Sequence, residues 1–378
     1  MKHRIAALFC LCALLGALSM VPLGSTYAQA APAVPTSAAS MAVIEAGSGR
    51  VLYEKDGETK RPMASTTKIC TAITVLEHCD DLEKAVVVPD AAVGVEGSSI
   101  YLQKGEKVKI IDLLYGLMLR SGNDCATALA ILTAGSVDQF ADLMNETAQK
   151  AGAENTHFVN PHGLHDDNHY TTALDLAKIT AYAFKNETFA KIVATKTHSM
   201  SYADYPYPRT MQNKNKILFT YEGGDGVKTG YTKKAGRCLV ASATRKGMRV
   251  IAVVLNCGPM FEDCAALMDK AFEEYALFCP IEKPVETKVA VENGKEASVP
   301  VASKDTFSYP IKAGEEEDFC ITANPVSSLA APVQRGCAAG EFTITFKNQL
   351  LFSGKLYTIK EVPARDYLDH LEELIDAW

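Results

Sequence analysis

Three short motifs follow one another along the chain: Ser65-Thr66-Thr67-Lys68, Ser121-Gly122-Asn123 and Lys228-Thr229-Gly230. A serine and a lysine three residues apart arise on the order of once by chance at this length and average composition. All three motifs in this order, each occurring once, form a much stronger signal. Together they hold a serine hydroxyl, a lysine one helical turn away, a second hydroxyl with an amide, and a second lysine. This set fits serine acyl transfer in which lysine, rather than histidine, takes the proton. Helical spacing puts Lys68 on the same face as Ser65. Lysine is a base only when neutral, so its ordinary pKa of about 10.4 must fall by several units. Burial and a nearby cation both act in that direction, and Lys228 is the candidate cation.

Each further residue has a structural reading beside the chemical one. Ser121 can pass a proton to a leaving amine, and Asn123 can hold a substrate backbone and the lysine. Both types also cap helices. Lys228 and Thr229 offer a charge and a hydroxyl to a carboxylate. Gly230 is expected to leave a strand edge bare for an extended peptide, and the alternative is an ordinary surface strand. Ser65 at a helix start has free amides beside it that can bind an oxyanion. His157, His162, His165 and His169, with Asp166 and Asp167, resemble a metal cluster. Pro161 and Gly163 break any helix there, so the paired spacing of a zinc peptidase is not met. No metal or other cofactor is implied.

The chain that must position these groups has 378 residues, which suits two domains. It is 48% hydrophobic and 22% charged, values of a globular protein. A net charge of −7 excludes the basic stripe that nucleic acid requires. Residues 1–30 read as a signal peptide: Lys2 and Arg4, an apolar run from Ile5 to Val21, then Ala28-Gln29-Ala30 as a cleavage site. Export to the outside of the cytoplasmic membrane follows. Of the eleven cysteines, Cys10 and Cys12 leave with the leader. The odd number remaining implies at least one free thiol or an intermolecular bond. Cys70 and Cys125 read as small buried hydrophobes.

The pattern predicts a strand pair over Ala42 to Tyr53 and a helix from Ser65 to about His78. Further helices are expected over Ile111 to Leu119, Asn123 to Thr133, Val137 to Ala151 and Thr172 to Lys185. Strands follow at Val227 to Thr232, Cys238 to Thr244 and Met248 to Leu255, and a helix from Glu262 to Phe278 closes the first domain. Strands at both ends of a helical block predict an α+β fold, one antiparallel sheet covered by helices. Residues 41–279 form this domain. Residues 283–363 are β-rich, with Asn293-Gly294 as a hairpin turn and alternation from Glu341 to Lys347. Residues 364–378 form a short amphipathic helix with one basic side chain against five acidic ones. That sign opposes anionic lipid, so the tail is expected to pack on its own domain.

Ala64-Ser65-Thr66-Thr67-Lys68, Ser121-Gly122-Asn123-Asp124, Phe158 to Leu164 and Val227-Lys228-Thr229-Gly230-Tyr231-Thr232 together resemble the low-molecular-mass penicillin-binding proteins. These are the serine D-alanyl-D-alanine carboxypeptidases of peptidase family S11. The resemblance runs from about Met41 to Phe278 and continues more loosely beyond. It implies a β-lactamase/D,D-transpeptidase-like catalytic domain. It also implies that Ser65 is acylated by peptidoglycan stem peptides ending in D-Ala-D-Ala, and by β-lactams. Lys68 then stands as the base, Ser121 and Asn123 as the second motif, and Lys228 with Thr229 and Gly230 as the carboxylate site. The amides of Ser65 and Tyr231 match the oxyanion hole. The histidine loop matches a family segment that binds no metal. One departure concerns an arginine that many members carry at the start of the closing helix. Gly258 to Asp263 has no cation, so either Lys228 and Thr229 carry that contact alone or Arg237 or another cation substitutes. A class A β-lactamase shares the first and third motifs but needs a glutamate-activated water. Glu154 and Glu187 lie in the right interval, and neither stands in a recognisable glutamate loop.

Overall fold

A computed structural model describes residues 34–201 and 205–376. The leader at residues 1–30 lies outside the described residues. Five antiparallel strands carry the catalytic half: β1 (Ser40–Glu45), β2 (Val51–Lys55), β3 (Gly224–Thr232), β4 (Gly236–Arg245) and β5 (Met248–Leu255), in the order β2-β1-β5-β4-β3. The two ends of the chain segment therefore meet in one sheet, β1 pairing with β5 from Ser40↔Leu255 to Glu45↔Val250. Strands β4 and β5 are buried on both faces, which explains their nearly unbroken apolar sequence. Alternate residues feed two cores: Val240, Ile251 and Val253 face one, and Leu239, Val250 and Val254 the other. Lys246 and Gly247 both have positive φ, the two-residue turn that matches strand twist.

The first core is filled by α1 (Lys68–His78), α2 (Ile110–Leu119), α3 (Asn123–Ala134), α4 (Val137–Lys150), α5 (Ala173–Ala183) and α6 (Glu187–Ala194). The second lies under α7 (Met260–Glu274). Side chains cap α4, α5 and α6, Ser136, Thr172 and Asn186 each accepting from the amide three residues on. Helix α1 runs through the middle of the helical layer, with Ile69, Cys70, Ala72 and Val75 fully buried.

The sequence patterns missed α6 and two short hairpins, Ala85–Val87 with Lys107–Lys109 and Thr197–Met200 with Arg209–Gln212. Elements this short bury too few alternating residues to leave a periodic signal. The closing helix also ends earlier than expected. It stops at Glu274, and β6 (Ala276–Phe278) instead pairs with β9 (Tyr309–Ile311). Between and beyond these lie β7 (Glu286–Glu292), β8 (Ser298–Ser303), β10 (Phe319–Pro325), β11 (Ser328–Ala330), β12 (Ala338–Phe346) and β13 (Gln349–Thr358). They form a six-stranded sheet, β10-β12-β13-β8-β7-β11, around Val289, Val301, Phe342, Ile344 and Leu356.

One guanidinium lies at the joint between the two sheets. Arg50, at the start of β2, donates to the Pro310 carbonyl, pairs with Glu315 at 3.1 Å, and lies 5.1–5.3 Å from the rings of Tyr275, Tyr309 and Phe346. Lys312 reaches back to Glu274 at 2.7 Å. In the tail, α8 (Tyr367–Asp376) leaves Tyr367, Leu368 and Ile375 at least two-thirds exposed. These three side chains therefore do not pack on their own domain as expected. Lys295 ties Asp366 and Asp369 to the sheet instead. Among the described residues no helix is long and apolar enough to cross a membrane. All nine described cysteines are free thiols, with Cys70 and Cys125 buried as expected.

Candidate active site

Ser65 stands in a single 3-10 turn, Ala64–Thr67, that runs directly into α1. The turn is held from inside: Thr66 Oγ1 donates to the Met63 carbonyl at 2.6 Å and Thr67 Oγ1 to that of Ala64 at 2.8 Å. His169 braces it from the histidine loop. The Val159 amide donates to His169 Nδ1, so Nε2 carries the proton and donates to Thr67 Oγ1 at 2.8 Å. Burial, then the neighbouring His162, pushes His169 down to about 3, which keeps the ring neutral. Gly163 has φ +85, and a Cβ there would fall 2.0 Å from the Ala64 carbonyl oxygen. The loop and the serine turn therefore meet backbone to backbone.

Lys68, the first residue of α1, has no exposed surface. Its Nζ lies 3.0 Å from Ser65 Oγ, 2.8 Å from Asn123 Oδ1 and 2.6 Å from the His162 carbonyl oxygen. None of these partners is a carboxylate. Burial lowers the Lys68 pKa well below the ordinary lysine value, and the charge of Lys228 lowers it further; Cys125 and Asp124 oppose the shift. A neutral amine at this distance can take the Ser65 proton.

Ser121 and Asn123 do not cap α3. Its N-cap is Gly122, with no side-chain cap hydrogen bond. Asn123 Nδ2 donates instead to the Glu96 carbonyl at 2.5 Å while Oδ1 holds Lys68. Ser121 is buried, in the left-handed region at φ +63, a conformation costly for a residue with a Cβ. Its hydroxyl makes no hydrogen bond within the protein among the described residues. The capping alternative raised by the sequence is thus excluded for both residues.

Strand β3 is the edge of its sheet, so its outer hydrogen-bonding groups face open space. Gly230 is required for a different reason from the one expected. A Cβ there would lie 3.0 Å from the Ser65 amide nitrogen and the Met63 carbonyl oxygen. The missing side chain lets β3 close on the serine turn, while the bare edge follows from strand order. Lys228 points to the helical side and is buried, its Nζ 3.0 Å from the Thr229 carbonyl oxygen. Burial, then Lys214, pushes it down to about 7. Thr229 is half-buried and Tyr231 is 65% exposed. Arg237 lies opposite Tyr231 in the ladder and donates to the Gly258 carbonyl at 3.2 Å. With Lys216 it flanks a cavity of about 620 Å³ lined also by Gly258 to Glu262.

The chain that carries this site is similar to known proteins. The family described as D-alanyl-D-alanine carboxypeptidase, peptidase S11, matches residues 26–258. The chain belongs to this family. A second family, the C-terminal domain of penicillin-binding protein 5, matches residues 278–364. The D-alanyl-D-alanine carboxypeptidase DacF of Bacillus subtilis is 31% identical over 90% of this chain and 90% of its own length. DacA of Escherichia coli is 30% identical over 92% of this chain and 90% of its own length. Among solved structures, penicillin-binding protein 5 of Haemophilus influenzae superposes with a TM-score of 0.70 at 27% identity, covering 88% of this chain and 99% of that one. The first family thus covers the five-stranded sheet and helices α1 to α6, and the second covers the six-stranded sheet.

Within this family member, the structure brings Lys68 into direct contact with both Ser65 and Asn123 and places Gly230 against Ser65. Lys228 acts on Lys68 through its charge. Sequence reading missed the His162 carbonyl, the His169 brace, Asp124 and Lys214. A backbone carbonyl has no residue-type signature. His169 was visible only as a member of a loop cluster, and its partner Thr67 lies 102 residues away.

Proposed function

We propose that this chain is a serine D-alanyl-D-alanine carboxypeptidase that trims peptidoglycan pentapeptide stems through an acyl-enzyme on Ser65. Neutral Lys68 takes the hydroxyl proton as Ser65 Oγ bonds to the carbonyl carbon of the penultimate D-alanine. The oxyanion is met by the amides of Ser65 and Tyr231. As the C–N bond breaks, the proton returns through Lys68 and Ser121 to the leaving amine, and the terminal D-alanine departs. Water then hydrolyses the ester with Lys68 again as base. Asn123 holds both Lys68 and the substrate backbone, which pairs with the β3 edge at Gly230 and Tyr231. Lys228 and Thr229 receive the terminal carboxylate, with Arg237 supplying the cation absent from the start of α7. A penicillin acylates Ser65 by the same steps and stays attached. Removing the terminal D-alanine limits cross-linking, and the leader at residues 1–30 directs the enzyme out of the cytoplasm to that substrate.

The observation that carries this reading is Lys68: fully buried, 3.0 Å from Ser65 Oγ, and with no carboxylate among its partners. The test is release of D-alanine from a peptide ending in D-Ala-D-Ala, with fluorescent penicillin labelling in parallel. Ser65→Ala is expected to abolish both. Labelling retained in that variant would place the nucleophile elsewhere.

A further inference from the structure

Asp124 is 1% exposed, and no basic side chain pairs with it among the described residues. Its carboxylate is satisfied entirely by one short loop and its own helix. Oδ2 accepts from Ser99 Oγ at 2.6 Å and from the Ile100 and Leu102 amides at 3.1 Å each, while Oδ1 accepts from the Cys125 amide at 2.9 Å. Gly122 makes room for this arrangement, since a Cβ there would lie 2.7 Å from Asp124 Oδ1.

The loop so clamped, residues 96–102, is the one that fixes Asn123. The Glu96 carbonyl accepts from Asn123 Nδ2, and the Ser98 carbonyl accepts from the Asn123 amide at 2.7 Å. Gly97, at φ +96, passes so close that a Cβ would lie 2.6 Å from Asn123 Nδ2. At the far end of the loop Tyr101 is held at φ +62, a region a bulky residue avoids. Its amide donates to Ser99 Oγ and its carbonyl accepts from Arg209, itself paired with buried Glu106 at 2.8 Å. Backbone held this far from its preferred region persists where the surroundings over-determine it.

We infer that Asp124 is a positioning residue for acyl transfer: it locks the 96–102 loop onto Asn123, and through Asn123 it fixes Lys68 against Ser65. Its negative charge acts on the same lysine. The charged and titratable groups around Lys68 are Lys228 on β3, Lys214 before the turn Ile217–Thr220, Asp124 and Cys125 on α3, and His162 in the loop. Among the charged ones Asp124 alone is acidic, so it favours the protonated amine while the two lysines oppose it. The inference rests on Ser65 being the acylated group.

The experiment compares acylation of the full-length chain by fluorescent penicillin from pH 4 to 10 for wild type, Asp124→Asn, Ser99→Ala and Ser65→Ala. Asp124→Asn is expected to acylate at least about tenfold more slowly at neutral pH, with the acidic limb displaced to lower pH because Lys68 loses its one favourable charge. Ser99→Ala keeps the charge and cuts the 2.6 Å contact, so it is expected to slow acylation by about threefold or more with the limb unmoved. Wild-type rates in both variants would overturn the inference. A slow Asp124→Asn with an unmoved limb would overturn the electrostatic part. If Asp124→Asn does not fold, Ser99→Ala at the wild-type rate still overturns the loop's role. Labelling of Ser65→Ala would instead bring down the reading on which the inference stands.

Discussion

The catalytic groove buries two lysines and the joint between the two sheets partly buries an arginine, and they treat these cations in opposite ways. At the joint, Arg50 and Lys347 converge on Glu315 at 3.1 and 2.8 Å. Burial raises the Glu315 pKa, yet Lys347, the Lys312 amide and Arg50 together hold it at about 2. The charges there are matched, and the result is rigidity. In the groove, Lys68 and Lys228 are buried with no acid bonded to either, and both are pushed down. Unmatched burial is unfavourable for stability, and it makes an amine that gives up its proton far more readily than an ordinary lysine. A cation drawn away from water becomes an anchor or a base according to whether a carboxylate accompanies it.

The comparison breaks first at Lys68. Lys68→Met keeps the volume apolar and removes the amine. We expect acylation by fluorescent penicillin to fall by about 10²–10⁴-fold, the range for loss of a general base, with the far-UV spectrum unchanged. A residual rate within tenfold of wild type would mean that another group takes the Ser65 proton. At the joint the expected outcome is reversed. Glu315→Gln should leave acylation within about twofold of wild type and cost about 1–2 kcal/mol of stability, read by denaturant unfolding. The sign follows from a folded-state pKa of about 2, below the ordinary carboxylate value near 4.3. The contribution is present above the ordinary value and is lost as pH falls toward 2, so the variant should lose its deficit in acid. A variant equally unstable at pH 7 and pH 2 would show that the pairing is not what holds the joint.

How far this contrast can be read from sequence depends on chain separation. Ser65 and Lys68 are three residues apart, and their contact follows from helical spacing alone. The Cys238 to Leu255 strands were legible because two-sided burial demands an apolar run. Burial of the lysines was not, since nothing in a lysine's neighbours records whether an acid arrives from elsewhere in the chain. The Asp124 clamp closes over 22–25 residues and the Arg50 joint over 260–265. Gly230 was singled out for the peptide it would admit, whereas the structure shows the serine turn it already admits. The helix expected to run to Phe278 failed because the partner of Ala276–Phe278 lies more than thirty residues on, in Tyr309–Ile311.

The smallest expected effect concerns Lys214, which is exposed yet contributes to lowering both buried lysines. Acylation should rise with pH as Lys68 loses its proton and fall as Lys228 loses its own near 7, giving a bell. Lys214→Gln removes a like charge, so both amines hold their protons more tightly and both limbs should move to higher pH by a few tenths of a unit. Salt sharpens the test. An exposed charge is screened within about 8–10 Å at moderate ionic strength, so 0.5 M salt should carry the wild-type profile toward that of the variant and leave the variant nearly still. If the two profiles coincide at low salt, Lys214 does not reach the groove. The depression of Lys228 then rests on burial, and that of Lys68 on burial and the Lys228 charge, which would draw the contrast with the joint more sharply still.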